Sequence, residues 1–387
     1  MIIIFWIVVF FIAYTYIGYG LLLYILLKIK QLIYPKNVTY PIYTPTLTVI
    51  VAAFNEAYCI EEKIINTLDL DYTKDKIKYI FITDGSTDET PLIVAKYPEI
   101  KCMHIDIRSG KIAAVHRAML EVTTEIVVFT DANTLVNKEA LLKICRHYKD
   151  HKVGAIAGEK RVQIEDSSDA TAGEGFYWKY ESKLKKWDSE LYSVVGAAGE
   201  LFSIRTNLYQ PVEPDTILDD FMISMNIALK GFKIVYEPEA YALEKASSDT
   251  SEELKRKIRI AAGGIQSTIR LKKLLLPFKN PILTFQYISH RILRWVVTPY
   301  LMIIALFINI YLVTQSGFVS IYGLMMLLQS SIYIAAILGW VLEKREMKVK
   351  IFFIPYYFCL MNYAVIAGMF RHLFKEQSVL WEKAKRR

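Results

Sequence analysis

No residue from Met1 to Leu27 is charged, and none from Trp295 to Leu342. A membrane span needs roughly 20 apolar residues, and a segment alone in lipid must satisfy its own backbone as a helix. The first stretch is therefore read as a transmembrane helix over residues 1–30. The second is long enough for two spans, 295–313 and 318–342, parted by the polar turn Thr314–Gly317. Residues 351–370 are a fourth candidate, transmembrane or re-entrant because Pro355 and Asn362 interrupt it. No small-residue cleavage site follows the first apolar run, so it is expected to remain as an anchor. A hydrophobic content of 53% is high for an ordinary soluble globule.

The net charge is +8, unevenly placed: Lys255 to Arg294 holds ten Lys or Arg and no acid. In a soluble chain such a run suits nucleic acid. Here it leads into an apolar span, so residues 251–294 are read as basic interfacial helices on membrane lipids, with no nucleic acid partner. Lys28, Lys30 and Lys36 place the middle of the chain on the cytoplasmic side of the plasma (inner) membrane. The basic tail 371–387, with six bases and two acids, also favours that side, whereas three later spans would put it outside. Cys59, Cys102, Cys145 and Cys359 show no paired or metal-ligand spacing and read as reduced thiols.

After a linker, 31–45, the stretch 46–250 alternates short apolar runs with helical periodicity. Strands are expected at Thr46–Ala53, Ile77–Thr83, Glu99–Ile105 and Ile126–Thr130, with helices near Ala57–Leu68 and Ile112–Glu121. Ser86 or Thr87, with Glu89, is expected to cap the helix between the second and third strands. Such alternation implies a mostly parallel sheet covered by helices. A helix is expected over Asn137–Lys149, extended chain over Lys152–Ile164, and an amphipathic helix over Ala170–Trp187. "DTILDDF" opens a helix that Gly231 ends, and Ser251 starts a basic helix reaching about Leu275.

Polar clusters recur just after these strands: Asn55-Glu56, Asp84, Ser109–Lys111 and Asp131–Asn133. Singly each is an ordinary turn, but the carboxyl ends of parallel strands share one edge, where open α/β folds bind ligands. Asp131 and Asn133 offer one anionic and one neutral oxygen, a set suited to Mg²⁺ or Mn²⁺ when phosphates complete the shell. Such a cation stabilises a diphosphate leaving group. Lys111 adds positive charge near the same phosphates, leaving Glu56 and Asp84 to accept hydrogen bonds from a ribose or base. An acceptor hydroxyl needs a base. Asp219 and Asp220 are candidates, since paired carboxylates raise one another's pKa; the plainer alternative is a helix N-cap with acid in the first turn. Arg256 and Arg259 lie three apart on one helical face, where they can clamp a diphosphate or meet headgroups. Gly196 and Gly199 allow close approach of a backbone or ligand.

The motifs "VAAFNEA", "TDGSTDET", "SGKIAAVHRA", "FTDANT", "GAAGELFSIR", "LDDF" and "RKIRI", in that order over residues 46–265, resemble the membrane-embedded family 2 inverting glycosyltransferases. That branch includes the cellulose, chitin, hyaluronan and poly-N-acetylglucosamine synthases. The resemblance implies an α/β catalytic domain of GT-A fold, a Rossmann-like nucleotide-sugar binding unit, between N- and C-terminal transmembrane helices. It implies a nucleotide-diphosphate sugar donor, a UDP-sugar before others, held by Ala53, Asn55, Glu56, Asp84, Gly110, Lys111 and Asp131. Asp131 and Asn133 match the metal motif, Asp220, beside Asp219, the catalytic base, and Gly196, Gly199 and Glu200 the acceptor segment. The implied activity is sugar transfer to a glycan acceptor in polysaccharide synthesis, with any export partner unknown. Two positions depart from the pattern. Asn133 replaces the second aspartate of the metal motif. "RKIRI" keeps Arg259 but has Arg256 and Ile260 where processive members carry Gln and Trp. A single-addition transferase acting on a lipid-linked glycan or polyprenyl phosphate is therefore the alternative, and a catalytically silent membrane subunit a remoter one. Nucleotidyl transfer on a related α/β fold is a remoter option, because no glycine-rich phosphate loop lies near the first strand.

Overall fold

The computed structural model describes residues 1–35, 42–163, 171–245, 250–277, 280–345, 347 and 349–374. Parts of the 31–45 linker and most of the 371–387 tail fall outside them. The sheet has eight strands: β1 Leu47–Ala53, β2 Ile77–Asp84, β3 Ile100–Ile105, β4 Ile126–Asp131, β5 Thr134–Val136, β6 Val153–Gln163, β7 Leu201–Arg205 and β8 Lys233–Lys245. Their spatial order is β3-β2-β1-β4-β7-β6-β8-β5. Its soluble helices are α1 Ile60–Leu68, α2 Thr90–Val94, α3 Lys111–Met119, α4 Ala140–Cys145, α5 Thr171–Leu191, α6 Asp219–Leu229 and α7 Thr250–Arg270.

The apolar runs become strands because both faces of the sheet are covered. Along β1, Val49 and Val51 face Ile60 and Ile64 of α1, while Ile50 faces the other layer with Val115 of α3 and Met222 of α6. Both layers draw on the same strands at period two.

The sheet is parallel through β3-β2-β1-β4 and again between β6 and β8, so the expectation of a mostly parallel sheet holds for these pairings and fails around β7 and β5. β7 pairs antiparallel with β4 and with β6, and β5 pairs antiparallel with β8. β5 has no counterpart in the sequence reading, because three residues show no periodicity. It matters to the site: Ala132 and Asn133 form a tight link between two strands with different partners. The expected helix over Asn137–Lys149 is only Ala140–Cys145 plus a 3-10 turn, since Asn137 completes the β5/β8 edge through Tyr241 N and Glu239 O. The expected Ser86/Thr87 cap with Glu89 is also replaced: Asp88 Oδ1 accepts from Thr90 N at 3.0 Å.

Among the described residues, four helices are long and apolar enough to cross a membrane: Ile2–Ile33, Pro281–Ser316, Ile321–Glu343 and Lys350–Leu373. The second starts at Pro281, well before residue 295, and takes in the end of the segment read as interfacial. Lys350–Leu373 is one unbroken helix through Pro355. Asn362 Oδ1 is satisfied by Tyr16 OH at 2.7 Å. The helix α7 is not simply laid on a surface. Gly368 packs on Ala261, Gly263 on Ile217 and Leu218, and Gly264 on Trp295, wedging α7 between the sheet domain and two apolar helices. Lys30, expected only to mark the cytoplasmic side, donates to the carbonyls of Glu190 and Leu191 and caps the end of α5.

Candidate active site

Three loops at the carboxyl edge of the parallel half are laced together. Asn55 adopts φ 54°, a left-handed conformation that asparagine tolerates. Its Oδ1 accepts from Thr87 N at 2.8 Å, its own N donates to Ser86 Oγ, and Glu56 N donates to Thr90 Oγ1 at 2.8 Å. Asp84 draws in the third loop: Oδ2 accepts from Ser109 N and Gly110 N at 2.8 and 2.6 Å, and Oδ1 from Arg117 Nη2 at 2.9 Å. Both Asp84 oxygens, expected for a ribose or base, thus already accept from the protein and fix the loop at Ser109 and Gly110. Glu56 is buried and accepts from Cys59 Sγ. Ala53 ends β1 beneath these loops. Arg108 stacks on Phe54 at 3.8 Å, a contact between the loops after β3 and β1 that the sequence reading missed. Both residues adjoin motifs that were recognised, but nothing local pairs them.

The second half of the site comes from β4, α3, β7 and α6. Lys111 Nζ lies 2.7 Å from Asp131 Oδ1. Burial opposes the Lys111 charge, but Asp131, then Asp219 and Asp220, outweigh it and raise its pKa. Gly199 lies between this pair and α6: a Cβ there would sit 3.3 Å from Asp220 Oδ2 and 3.4 Å from Lys111 Nζ. Asp131, Lys111, Gly199 and Asp220, from four separate motifs, therefore share one pocket. Asp220 opens α6, its Oδ1 accepting from Phe221 N. Leu218 holds the cap position without a side-chain bond, so neither aspartate is the N-cap the sequence allowed for. Burial, reinforced by Asp219 and only partly countered by Lys111, pushes the Asp220 carboxyl up to about 7.

Arg256 and Arg259 share a helix but not an environment. Arg256 Nη2 lies 3.2 Å from Glu200 and Nη1 is 3.6 Å from Glu244 and 3.8 Å from Glu253. Lys160 bridges Glu200 and Glu244. Burial would raise the Glu200 pKa, but Lys160 and Arg256 hold it well below the usual carboxylate range. The Glu200 carboxylate, expected to face an acceptor, is thus bound inside this ion cluster, as is Arg256. Arg259 has no hydrogen bond or ion pair among the described residues, and its Nε is buried. Burial lowers its pKa, opposed by Asp219 and Asp220. Of the two arginines, it is the cation left open to an anionic ligand.

Gly196 has φ 87°, and a Cβ there would meet Phe221 Cδ2 at 2.2 Å. Gly196→Ala is expected to lose at least about 3 kcal/mol, from left-handed strain plus overpacking. A thermal melt of the purified variant checks this.

No group of three or more His, Cys, Asp or Glu side chains capable of holding a metal occurs among the described residues. The turn supplies one carboxylate and one amide, which fits a hard divalent ion only if ligand oxygens fill the remaining positions.

A parallel run of strands that gathers polar loops at its carboxyl edge, joined to a mixed half that brings a carboxylate pair against them, defines a GT-A α/β domain. Residues 48–211 match the family model Glycosyl transferase family 2. The poly-beta-1,6-N-acetyl-D-glucosamine synthase of Staphylococcus aureus (strain COL) is 26% identical over 269 residues, covering 66% of this chain and 64% of that protein. The Staphylococcus epidermidis synthase is 24% identical over 278 residues, 68% of this chain and 66% of its own length. The chain thus spans just under two thirds of these curated relatives, 64% and 66%. The mannosyltransferase PcManGT from Pyrobaculum calidifontis, solved with GDP-Man and Mn²⁺, superposes with TM-score 0.74 at 22% identity over 97% of this chain and 100% of that one, a likeness of fold.

Proposed function

We propose that the chain is a membrane-bound inverting glycosyltransferase that moves a sugar from a nucleotide-diphosphate sugar to a glycan acceptor. The observation that carries this is the Asp220 carboxylate, held across Gly199 from the Lys111–Asp131 pair. Ionised Asp220 takes the proton of the acceptor hydroxyl as its oxygen bonds to the anomeric carbon. The bond from that carbon to the diphosphate breaks in the same step, inverting the configuration. Asp131 and Asn133 would hold Mg²⁺ or Mn²⁺, which neutralises charge on the leaving diphosphate. Lys111 and Arg259 face the same charge. The poly-N-acetylglucosamine synthase relatives support N-acetylglucosaminyl transfer. The basic residues flanking the first apolar helix support a cytoplasmic catalytic domain in the plasma membrane.

Incubating the purified chain with UDP- and GDP-sugars, with and without Mn²⁺, and measuring nucleotide release and product size tests this reading. A polymer ladder supports a synthase. One added sugar on a lipid-linked acceptor supports the single-addition alternative, which Arg256 and Ile260 favour by leaving no aromatic surface at that step of α7. Absence of transfer from every donor overturns the proposal.

The two arginines are expected to separate by experiment. Arg259→Ala should raise the KM for donor with little loss of thermal stability. Arg256→Ala should cost roughly 2–3 kcal/mol, because it leaves Lys160 alone, among the described residues, to balance Glu200 and Glu244 in a buried cluster, moderated by the solvent the guanidinium retains. Donor titrations and thermal melts of both variants provide the check.

A further inference from the structure

Lys63 lies on the buried face of α1 with Ile60, Ile64 and Thr67, and is 0% exposed. Lysine is almost never fully buried without a counter-charge, yet Lys63 has no ion pair among the described residues. Its ammonium makes two hydrogen bonds, to Thr130 Oγ1 at 2.9 Å and to the Thr134 carbonyl at 2.8 Å. These two residues flank Asp131, Ala132 and Asn133. The bonds therefore grip the last residue before the turn and the first after it, from the side opposite the cleft.

The grip extends further. Thr130 Oγ1 donates to the Glu200 carbonyl at 2.9 Å, next to Gly199. Thr134 Oγ1 donates to the Asp131 carbonyl at 3.0 Å. A chain of hydrogen bonds thus runs from Lys63 through Thr130 to the glycine segment that separates Lys111 from Asp220. Burial lowers the Lys63 pKa to about 7, opposed by the Asp131 charge, so charging the amine here carries an energetic cost. A leucine or methionine would fill the site without that cost, and would leave the Thr134 carbonyl unpaired. The motif reading passes over this lysine, which stands in "IEEKIINTL" among ordinary helical residues.

We propose that Lys63 is a positioning residue for the divalent-metal site: from behind the sheet it holds the Thr130–Thr134 turn so that Asp131 and Asn133 present their oxygens to the metal and diphosphate. This rests on the reading of that turn as the metal site. Two effects oppose each other. Lys63 carries positive charge, which weakens cation binding, and it fixes the ligands, which strengthens it. Orientation should win, because supports behind metal ligands are typically worth about 10–100-fold in metal affinity.

The test uses the purified full chain, with Mn²⁺ binding in the presence of UDP or GDP read by electron paramagnetic resonance, alongside a thermal melt. Lys63→Met is expected to weaken Mn²⁺ binding at least about tenfold. Thr130→Val keeps the lysine but removes its side-chain partner, so the outcome does not depend on Lys63→Met folding; it should weaken binding comparably. The double variant should be no worse than the poorer single, as expected for two ends of one bridge. Asp131→Asn should abolish Mn²⁺ binding. If Lys63→Met and Thr130→Val lower the melting temperature yet bind Mn²⁺ as tightly as the parent, or more tightly, the proposal is overturned while the metal site stands. If Mn²⁺ binding survives Asp131→Asn, the metal site itself is misplaced and the role of Lys63 falls with it.

Discussion

Asp220→Asn is expected to lower sugar transfer by about 10²–10⁴-fold, the usual contribution of a positioned general base, while leaving donor binding nearly unchanged. Asparagine keeps the shape at the start of α6 and the bond from Phe221 N, but cannot take a proton. Near-normal turnover in this variant would exclude Asp220 as the base. The raised carboxyl pKa adds two signatures. The parent's rate should fall as pH drops below about 7, because Asp220 protonates there. Stability should run the other way. An unfolded aspartate titrates near about 3.9, so between that value and about 7 the folded chain binds the extra proton. Stability contributed by this group is therefore lost as pH rises through that window. Asp220→Asn removes the penalty and should melt higher than the parent at pH 8, with little difference at pH 4. Melts at the two pH values, beside a pH–rate profile, check both signs.

The second large effect is expected for Asp131→Asn: a loss of about 100-fold or more in metal-dependent transfer, since the metal's charge stabilisation is worth several kcal/mol and the turn keeps no formal charge. This variant also redistributes charge inside the pocket. Lys111 now divides its attraction among Asp131, Asp219 and Asp220. With Asp131 neutral, the ammonium turns to the α6 pair and favours ionised Asp220. The residual activity should therefore keep its rate to lower pH than the parent does. An acid limb that stays put would show that Lys111 does not communicate with Asp220, and would separate the donor half of the site from the acceptor half.

Much of this arrangement is legible locally. An apolar run that stops at a carboxylate reads as a strand end wherever it occurs, which is why Asp84 and Asp131 were placed at one sheet edge from periodicity alone. Other features depend on contacts far apart in the chain. Asp84 was expected to meet a nucleoside because a carboxylate at a strand end is locally indistinguishable from a free one. Its oxygens are taken by Ser109 N, Gly110 N and Arg117, 25 to 33 residues away. Arg256 and Arg259 look equivalent at helical spacing. They differ because β6, β7 and β8 bring Lys160, Glu200 and Glu244 to one arginine and not the other.

The amino-acid order by itself determines the long apolar helices, the alternating α/β core and the residue types at each strand end, because hydropathy and period depend only on neighbours along the chain. The tertiary structure alone decides which charges are paired and which stay open. Pairing is set by long-range packing, in a low-dielectric interior where an ångström of displacement changes the partner. Lys63 shows the division most plainly: in sequence it is one lysine on an amphipathic helix, and in the fold it is the buried cation behind the Asp131 turn.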